Sequence, residues 1–201
     1  MNDKIPIPLR IKNSFTSIKL IKKTQDFFIF SGKENKTKEL RIIKMLAIPS
    51  YLNKEMFDLF NHLLLTRNFI KGLKEEYAPK LYEYFEIEES NMKFVVSIEK
   101  IYEEIIKYRS KEVNKYLINP DKMRIDITAI LTDLHSEGKE HGDIAIRNIC
   151  LDTERDKYIL IDWNEGSKNS ETSTLEYELE SLHQILDSIN DKIASGYLSS
   201  D

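Results

Sequence analysis

The sequence predicts an α+β protein in two parts: a small antiparallel sheet carrying one helix, then a mainly helical region. Three observations lead there. Short apolar runs rich in β-branched and aromatic residues crowd the first half. Apolar residues at helical spacing dominate the second half. At 201 residues, 41% hydrophobic and with only 6 Gly, the chain can fill one good core or two small lobes, and it is neither disordered nor collagen-like. The division falls between residues 1–99, the β-rich part, and residues 100–201, the mainly helical part.

Each element has its own signal. Phe15–Lys22 and Phe27–Phe30 are apolar runs with partial alternation, and both contain β-branched or aromatic residues, as strands do. Ser31–Lys36 is a polar turn segment, and Leu40–Leu46 is a third strand, which completes a meander. Such a sheet must cover one face. Residues 52–71 provide the cover, with Met56, Leu59, Phe60, Leu63, Leu64 and Ile70 at helical spacing, Asn53 as N-cap and Gly72 as terminator. Lys80–Glu86 and Lys93–Ile98 read as two strands around a Glu-Glu-Ser-Asn turn, giving the order β-β-β-α-β-β. Helices follow over Tyr102–Tyr116 and Arg124–Glu137. A hairpin comes next, with strands at Ile149–Leu151 and Tyr158–Ile161, and a last helix spans Leu175–Ile193.

Composition excludes several classes. A lone cysteine, Cys150, rules out an internal disulfide or a four-cysteine zinc site, and four histidines leave little for a histidine-rich metal centre. The N-terminus has no apolar run of a secretory signal, and apolar stretches fall far short of the roughly 20 residues a bilayer span needs. The expectation is a cytoplasmic or otherwise intracellular protein without a membrane span, with export by a specialised secretion system left open. Charge is uneven: residues 1–44 hold 11 Lys or Arg against 4 Asp or Glu, while the whole chain is formally −4. That asymmetry suits two different surfaces or an anionic ligand on the first part. The basic residues match no nucleic-acid-binding signature, so a nucleic-acid partner is not expected.

The chemistry is concentrated in His141-Gly142-Asp143-Ile144-Ala145-Ile146-Arg147-Asn148, followed by Ile159-Leu160-Ile161-Asp162-Trp163-Asn164. A hairpin returns its second strand to where its first began, so Asn148 and Asp162 can meet near one point. An amide oxygen and a carboxylate there form a hard, oxygen-rich site suited to magnesium. Asp143, beside them, could orient a hydroxyl and accept its proton. Phosphoryl transfer needs this combination of metal-held phosphates and an oriented acceptor. Each residue also has a plainer reading as a turn or cap. His141 reads as a structural histidine satisfied by backbone groups, Trp163 as packing beneath the site and Cys150 as a buried strand residue. Arg147 either braces the loop against a carboxylate or is a surface charge.

This segment resembles the catalytic loop and metal-binding motif of the protein-kinase-like superfamily: HGDxxxxN, then Asp162-Trp163-Asn164 where a DFG-type triplet stands. DIAIRN is similar to the DLAARN of many tyrosine kinases, whereas HGD and IDW resemble the small-molecule phosphotransferase branch and compact atypical protein kinases. The resemblance spans about residues 15–193. It implies a bilobal fold, with a small antiparallel-sheet N-lobe and a truncated, mainly helical C-lobe holding ATP and Mg2+ in the cleft. It further implies that Asp143 is the catalytic base, that Asn148 and Asp162 hold the metal, and that Lys44 is the third-strand lysine that anchors phosphates. A strand-borne ammonium suits that task as a point charge. The family pairs this lysine with a helix glutamate, for which Glu55 is the candidate. Glu99 and Ile101 fall at the hinge that meets adenine, with Ile98 as gatekeeper.

Departures from the family are equally plain. The run Ile21–Phe30 contains no glycine where the family has a Gly-rich phosphate loop, and side chains restrict close backbone approach there. Lys22 and Lys23 could compensate by charge. Asn164 replaces the last Gly of the triplet, no APE motif follows, and little chain lies beyond the last helix. The expected function is therefore that of a minimal atypical protein kinase, transferring the γ-phosphoryl group to a protein hydroxyl with a protein substrate or activating protein partner. A pseudokinase scaffold and a small-molecule hydroxyl kinase are the alternatives.

Overall fold

The computed structural model describes residues 6–23, 27–51, 69–74, 76–104, 118–163 and 174–195. They form a mixed α+β fold with two antiparallel sheets. Two compact units divide the chain: residues 1–71 with 80–101, and residues 72–79 with 102–201.

In the first unit, helix α1 (Leu9–Ser14) precedes strands β1 (Phe15–Lys23), β2 (Phe27–Glu34), β3 (Leu40–Pro49), β4 (Leu81–Glu89) and β5 (Met92–Lys100). The sheet order is β1-β2-β3-β5-β4, antiparallel throughout. Ser90 and Asn91 join β4 to β5 with φ of 55° and 61°, the left-handed pair that a tight two-residue hairpin requires. Strand β2 runs four residues beyond Phe30, so Ser31–Glu34 belong to the sheet and the turn is confined to the residues after them.

One face of this sheet carries Phe15, Phe28, Phe30, Ile43, Met45, Phe85, Phe94, Val96 and Ile98, closed by Ile11 of α1. At six residues α1 is too short to show a helical period, which is why the sequence pattern missed it. It is held from outside: Glu89 Oε2 accepts the otherwise orphaned Leu9 N–H at 2.9 Å, and Arg10 pairs with Glu83 and lies 3.8 Å over the Phe85 ring. On the opposite face Leu46, Ile48, Val95, Ser97 and Glu99 are also buried. Strand β5 is thus enclosed on both sides and buried without a break from Phe94 to Glu99, with Ser97 and Glu99 the polar residues in that stretch.

Residues 69–71 are helical and Gly72 follows in a turn; the rest of the helix expected over 52–71, Glu55 included, lies outside the described residues.

In the second unit, strands β6 (Glu103–Glu104), β7 (Ile149–Asp152) and β8 (Lys157–Leu160) form a three-stranded sheet in that order. The helix expected from Tyr102 is corrected at its start. Tyr102 is not helical, and Glu103 and Glu104 pair with Leu151 and Cys150, because the exposed edge of the hairpin needs a strand to satisfy its backbone. Residues 105–117 lie outside the described residues. Helix α2 (Pro120–Ser136) begins four residues before the expected start at Arg124. Pro120 occupies the first turn, and the Asn119 side chain accepts the Lys122 N–H at 3.0 Å. Helix α3 (Leu175–Ala194) is capped by Thr174, whose hydroxyl accepts the Tyr177 N–H. Buried Met123, Ile127, Ile130, Leu131 and Leu134 of α2 and Leu182, Leu186 and Ile189 of α3 supply this unit's helical core. Among the described residues, no helix is long and apolar enough to cross a membrane.

Candidate active site

The loop between α2 and β7 is built around a buried histidine and a buried glutamate. His141 is fully buried; its Nε2 lies 3.0 Å from the Ile161 carbonyl, and its Nδ1 lies 3.3 Å from the Asp143 N–H. A carbonyl only accepts, so Nε2 carries the proton and Nδ1 is the acceptor, the arrangement of a neutral imidazole. Burial pushes the His141 pKa down, against the opposing pull of the Ile161 carbonyl and of the charges on Glu178, Asp143 and Asp162. The imidazole packs on Trp163 at 4.6 Å, and the Trp163 Nε1–H donates to the Leu160 carbonyl. His141 thus ties the loop to the far end of the hairpin, in line with its structural reading.

Glu178, on the first turn of α3, is the residue that sequence reasoning missed. Its Oε1 accepts the backbone N–H groups of His141 at 3.1 Å and Gly142 at 2.7 Å. Its Oε2 meets His135 Nε2 at 2.8 Å, at the end of α2. A carboxylate 2% exposed needs such partners. Gly142 adopts φ 82°, a left-handed conformation that glycine reaches without steric cost. One acidic side chain therefore joins α3, α2 and the loop. The only sequence signal was an acidic residue on an otherwise apolar helix face.

The loop presents Asp143 and Asn148 together. The Asn148 Nδ2 group donates to the Asp143 carbonyl and to Asp143 Oδ2, both at 2.9 Å. Arg147 grips the same carboxylate, with Nη2 at 3.0 and 2.7 Å from its two oxygens. Both readings of Arg147 hold at once: it braces Asp143, and at 59% exposure it is a surface charge whose pairing is weak enough to exchange. Asn148 is buried within the short 3-10 turn Ile146–Asn148, and its carbonyl accepts the Ile161 N–H at 2.8 Å. That bond closes the hairpin and brings Asp162 next to the loop. Asp162 is exposed and holds φ 58°, a conformation costly for a residue with a Cβ.

Magnesium fits the donors available here. With its NH2 group committed to Asp143, Asn148 has its amide oxygen for a cation, and Asp162 offers a carboxylate; both are hard oxygen ligands. Among the described residues, no group of three or more His, Cys, Asp or Glu is arranged around a metal. A two-ligand site remains compatible with magnesium, which keeps several waters and shares substrate phosphates.

The first unit contains a second charged group. Lys44 on β3 faces Ser97 of β5 in register, and Glu99 is the next residue of β5 on that face. Lys44 Nζ lies 2.9 Å from Glu99 Oε2, and the Ser97 hydroxyl donates to Glu99 Oε1 at 2.9 Å. The structure places Glu99 inside β5, flanked by β3 and β4, with its carboxylate on Lys44. Ile101 follows the strand end and is half-buried. Ile98, expected as gatekeeper, belongs to the apolar cluster on the opposite face, so Ser97 and Glu99 are the β5 side chains beside Lys44. Lys22 is half-buried near the end of β1, and Lys23 is exposed with its ammonium 5.7 Å from the Phe28 ring centroid. Glu55 lies outside the described residues.

No protein-family model matches the chain, and no curated protein matches it.

Proposed function

We propose that the chain is an ATP-dependent phosphotransferase of the protein-kinase-like type, a minimal member that transfers the γ-phosphoryl group to a protein hydroxyl. The observation that carries this reading is the Asp143–Asn148 pair. One loop holds a carboxylate and an amide in direct contact, and the hairpin behind Asn148 returns Asp162 beside them. Asp143 would orient the acceptor hydroxyl and take its proton. Asn148 and Asp162 would hold magnesium, which supplies charge neutralisation to the phosphates when bound. Lys44, in the first unit, would contact phosphate as a fixed positive charge, and a small N-lobe and truncated C-lobe would be the corresponding architecture.

The test is calorimetric titration with ATP, with and without magnesium, against Asp162→Ala. Magnesium-dependent binding lost in the variant supports the reading, and transfer of labelled γ-phosphate to protein in preference to amino-alcohols or sugars supports the acceptor. Binding that ignores magnesium favours the second reading, a nucleotide-binding pseudokinase scaffold, for which the glycine-free run Ile21–Phe30 speaks. Asp143→Asn separates the two: an effect on partners that survives this change in a folded protein belongs to a scaffold.

A further inference from the structure

We infer that Glu99 is the positioning residue for Lys44, so that the phosphate-anchoring lysine is aligned from within the sheet by Glu99 and Ser97 and does not depend on a glutamate of the helix. The inference rests on the phosphotransfer reading and deepens it. In the family it resembles, the lysine's partner sits on a helix; here a carboxylate already lies 2.9 Å from the ammonium, on the adjacent strand.

The geometry follows from strand pairing. Lys44 is opposite Ser97 and Ile42 is opposite Glu99, so Lys44 and Glu99 are diagonal neighbours on one face of the central β3–β5 pair. Diagonal neighbours lie within reach of long side chains. Glu99 is held by Lys44 on one oxygen and by Ser97 on the other. With its side chain 3% exposed it has little freedom to move, whereas the Lys44 side chain keeps 13% exposure. One of the three ammonium donors is occupied by Glu99, which fixes the direction of the others. A buried ion pair is a poor way to gain stability, because apolar residues of similar volume commonly do as well or better. A carboxylate at this depth is better explained by what it does to the lysine. Pairing within one sheet also fixes the backbone relation: β3 and β5 are in register from Arg41 to Pro49, so the two residues remain diagonal neighbours unless the sheet opens.

The experiment is steady-state MgATP hydrolysis by the full chain, with kcat and KM measured for wild type, Lys44→Met, Glu99→Gln and the double variant, each with a thermal melt. Glu99→Gln keeps the shape and removes the charge. The expected result is a fall in kcat of at least about tenfold with KM within about threefold, and a double variant no worse than Lys44→Met alone, as residues acting as a unit behave. Glu99→Asp retains the charge with a shorter reach, and it should recover part of the loss; it also serves if Glu99→Gln does not fold. The same change at Glu55 should cost less than at Glu99. Turnover unaffected by Glu99→Gln, a loss that adds fully to that of Lys44→Met, or a larger loss from Glu55→Gln each overturns the inference while the phosphotransfer reading stands. A wild type that neither binds nor hydrolyses MgATP overturns the reading, and the inference with it.

Discussion

Lys44 and Asp143 are both charged side chains at the centre of a polar group, yet the two units fix them by different means. Lys44 sits on a strand, its neighbours are dictated by the register of β3 with β5, and its ionic partner is Glu99 of the adjacent strand, itself bonded by Ser97. Asp143 sits on a loop whose backbone has no ladder to satisfy it. The loop is held by Glu178, 35 positions further along the chain, and by a histidine whose ring bridges to Ile161. In the first case regular backbone pairing positions the charge; in the second a buried charge positions the irregular backbone. The second arrangement concentrates more of its stability in a single residue.

That contrast predicts an order of sensitivity. The largest effect should come from Glu178→Ala, which removes the acceptor of the His141 and Gly142 N–H groups and the partner of His135; we expect a loss of about 3–5 kcal/mol in urea denaturation. Glu178→Gln retains one acceptor oxygen and should cost less. If Glu178→Ala is nearly neutral, the loop is held by something else and the contrast collapses.

Next comes Asp143→Asn, which should lower phosphoryl transfer by at least about a hundredfold with the melting temperature nearly unchanged, because its carboxylate is half-exposed and its ionic partner Arg147 is on the surface. A pH series probes the other end of the loop. The folded pKa of His141 lies below its ordinary value of 6.5, so the unfolded chain takes up the proton first as pH falls. The stability linked to neutral His141 is therefore fully present above pH 6.5 and is lost progressively below it. Urea midpoints at pH 7.5 and 5.5 should differ, and His141→Gln should reduce the difference.

Smaller effects test the strand-built group. Ser97→Ala leaves one oxygen of Glu99 without its hydroxyl donor and should cost about 1 kcal/mol in denaturation, with turnover reduced less than by Glu99→Gln. The last variant, Asp162→Gly, should change stability in the opposite direction. Asp162 holds φ 58°, where glycine is at ease, so the variant should gain up to about 1 kcal/mol while losing magnesium-dependent ATP binding. A gain in stability with loss of binding would mark Asp162 as a strained functional residue.

The residues also differ in how far the sequence revealed them. The five strands of the first unit, the β7–β8 hairpin and the two long helices were legible because each carries several apolar residues at a fixed period. The loop motif was legible because its polar residues lie close together in the chain. Helix α1 was not, since six residues hold too little period and its N-terminus is satisfied by Glu89 from a distant strand. Strand β6 was not, since two residues show no alternation and their pairing with β7 decides their state. Glu99 was read as a hinge residue from its order along the chain. Its carboxylate's destination depends on the parity of two paired strands, a matter of register.

The sequence by itself determined which segments can be strands or helices and that Asp143 and Asn148 share one short loop, because both depend on spacing along one chain. Only the tertiary structure decided that Glu178 anchors the loop, that Ile98 faces away from Lys44 and that Glu99 faces toward it. These facts arise where segments distant in sequence are brought into hydrogen-bonding range. A buried charge selects its partner by proximity and compensation, and neither is encoded in local composition.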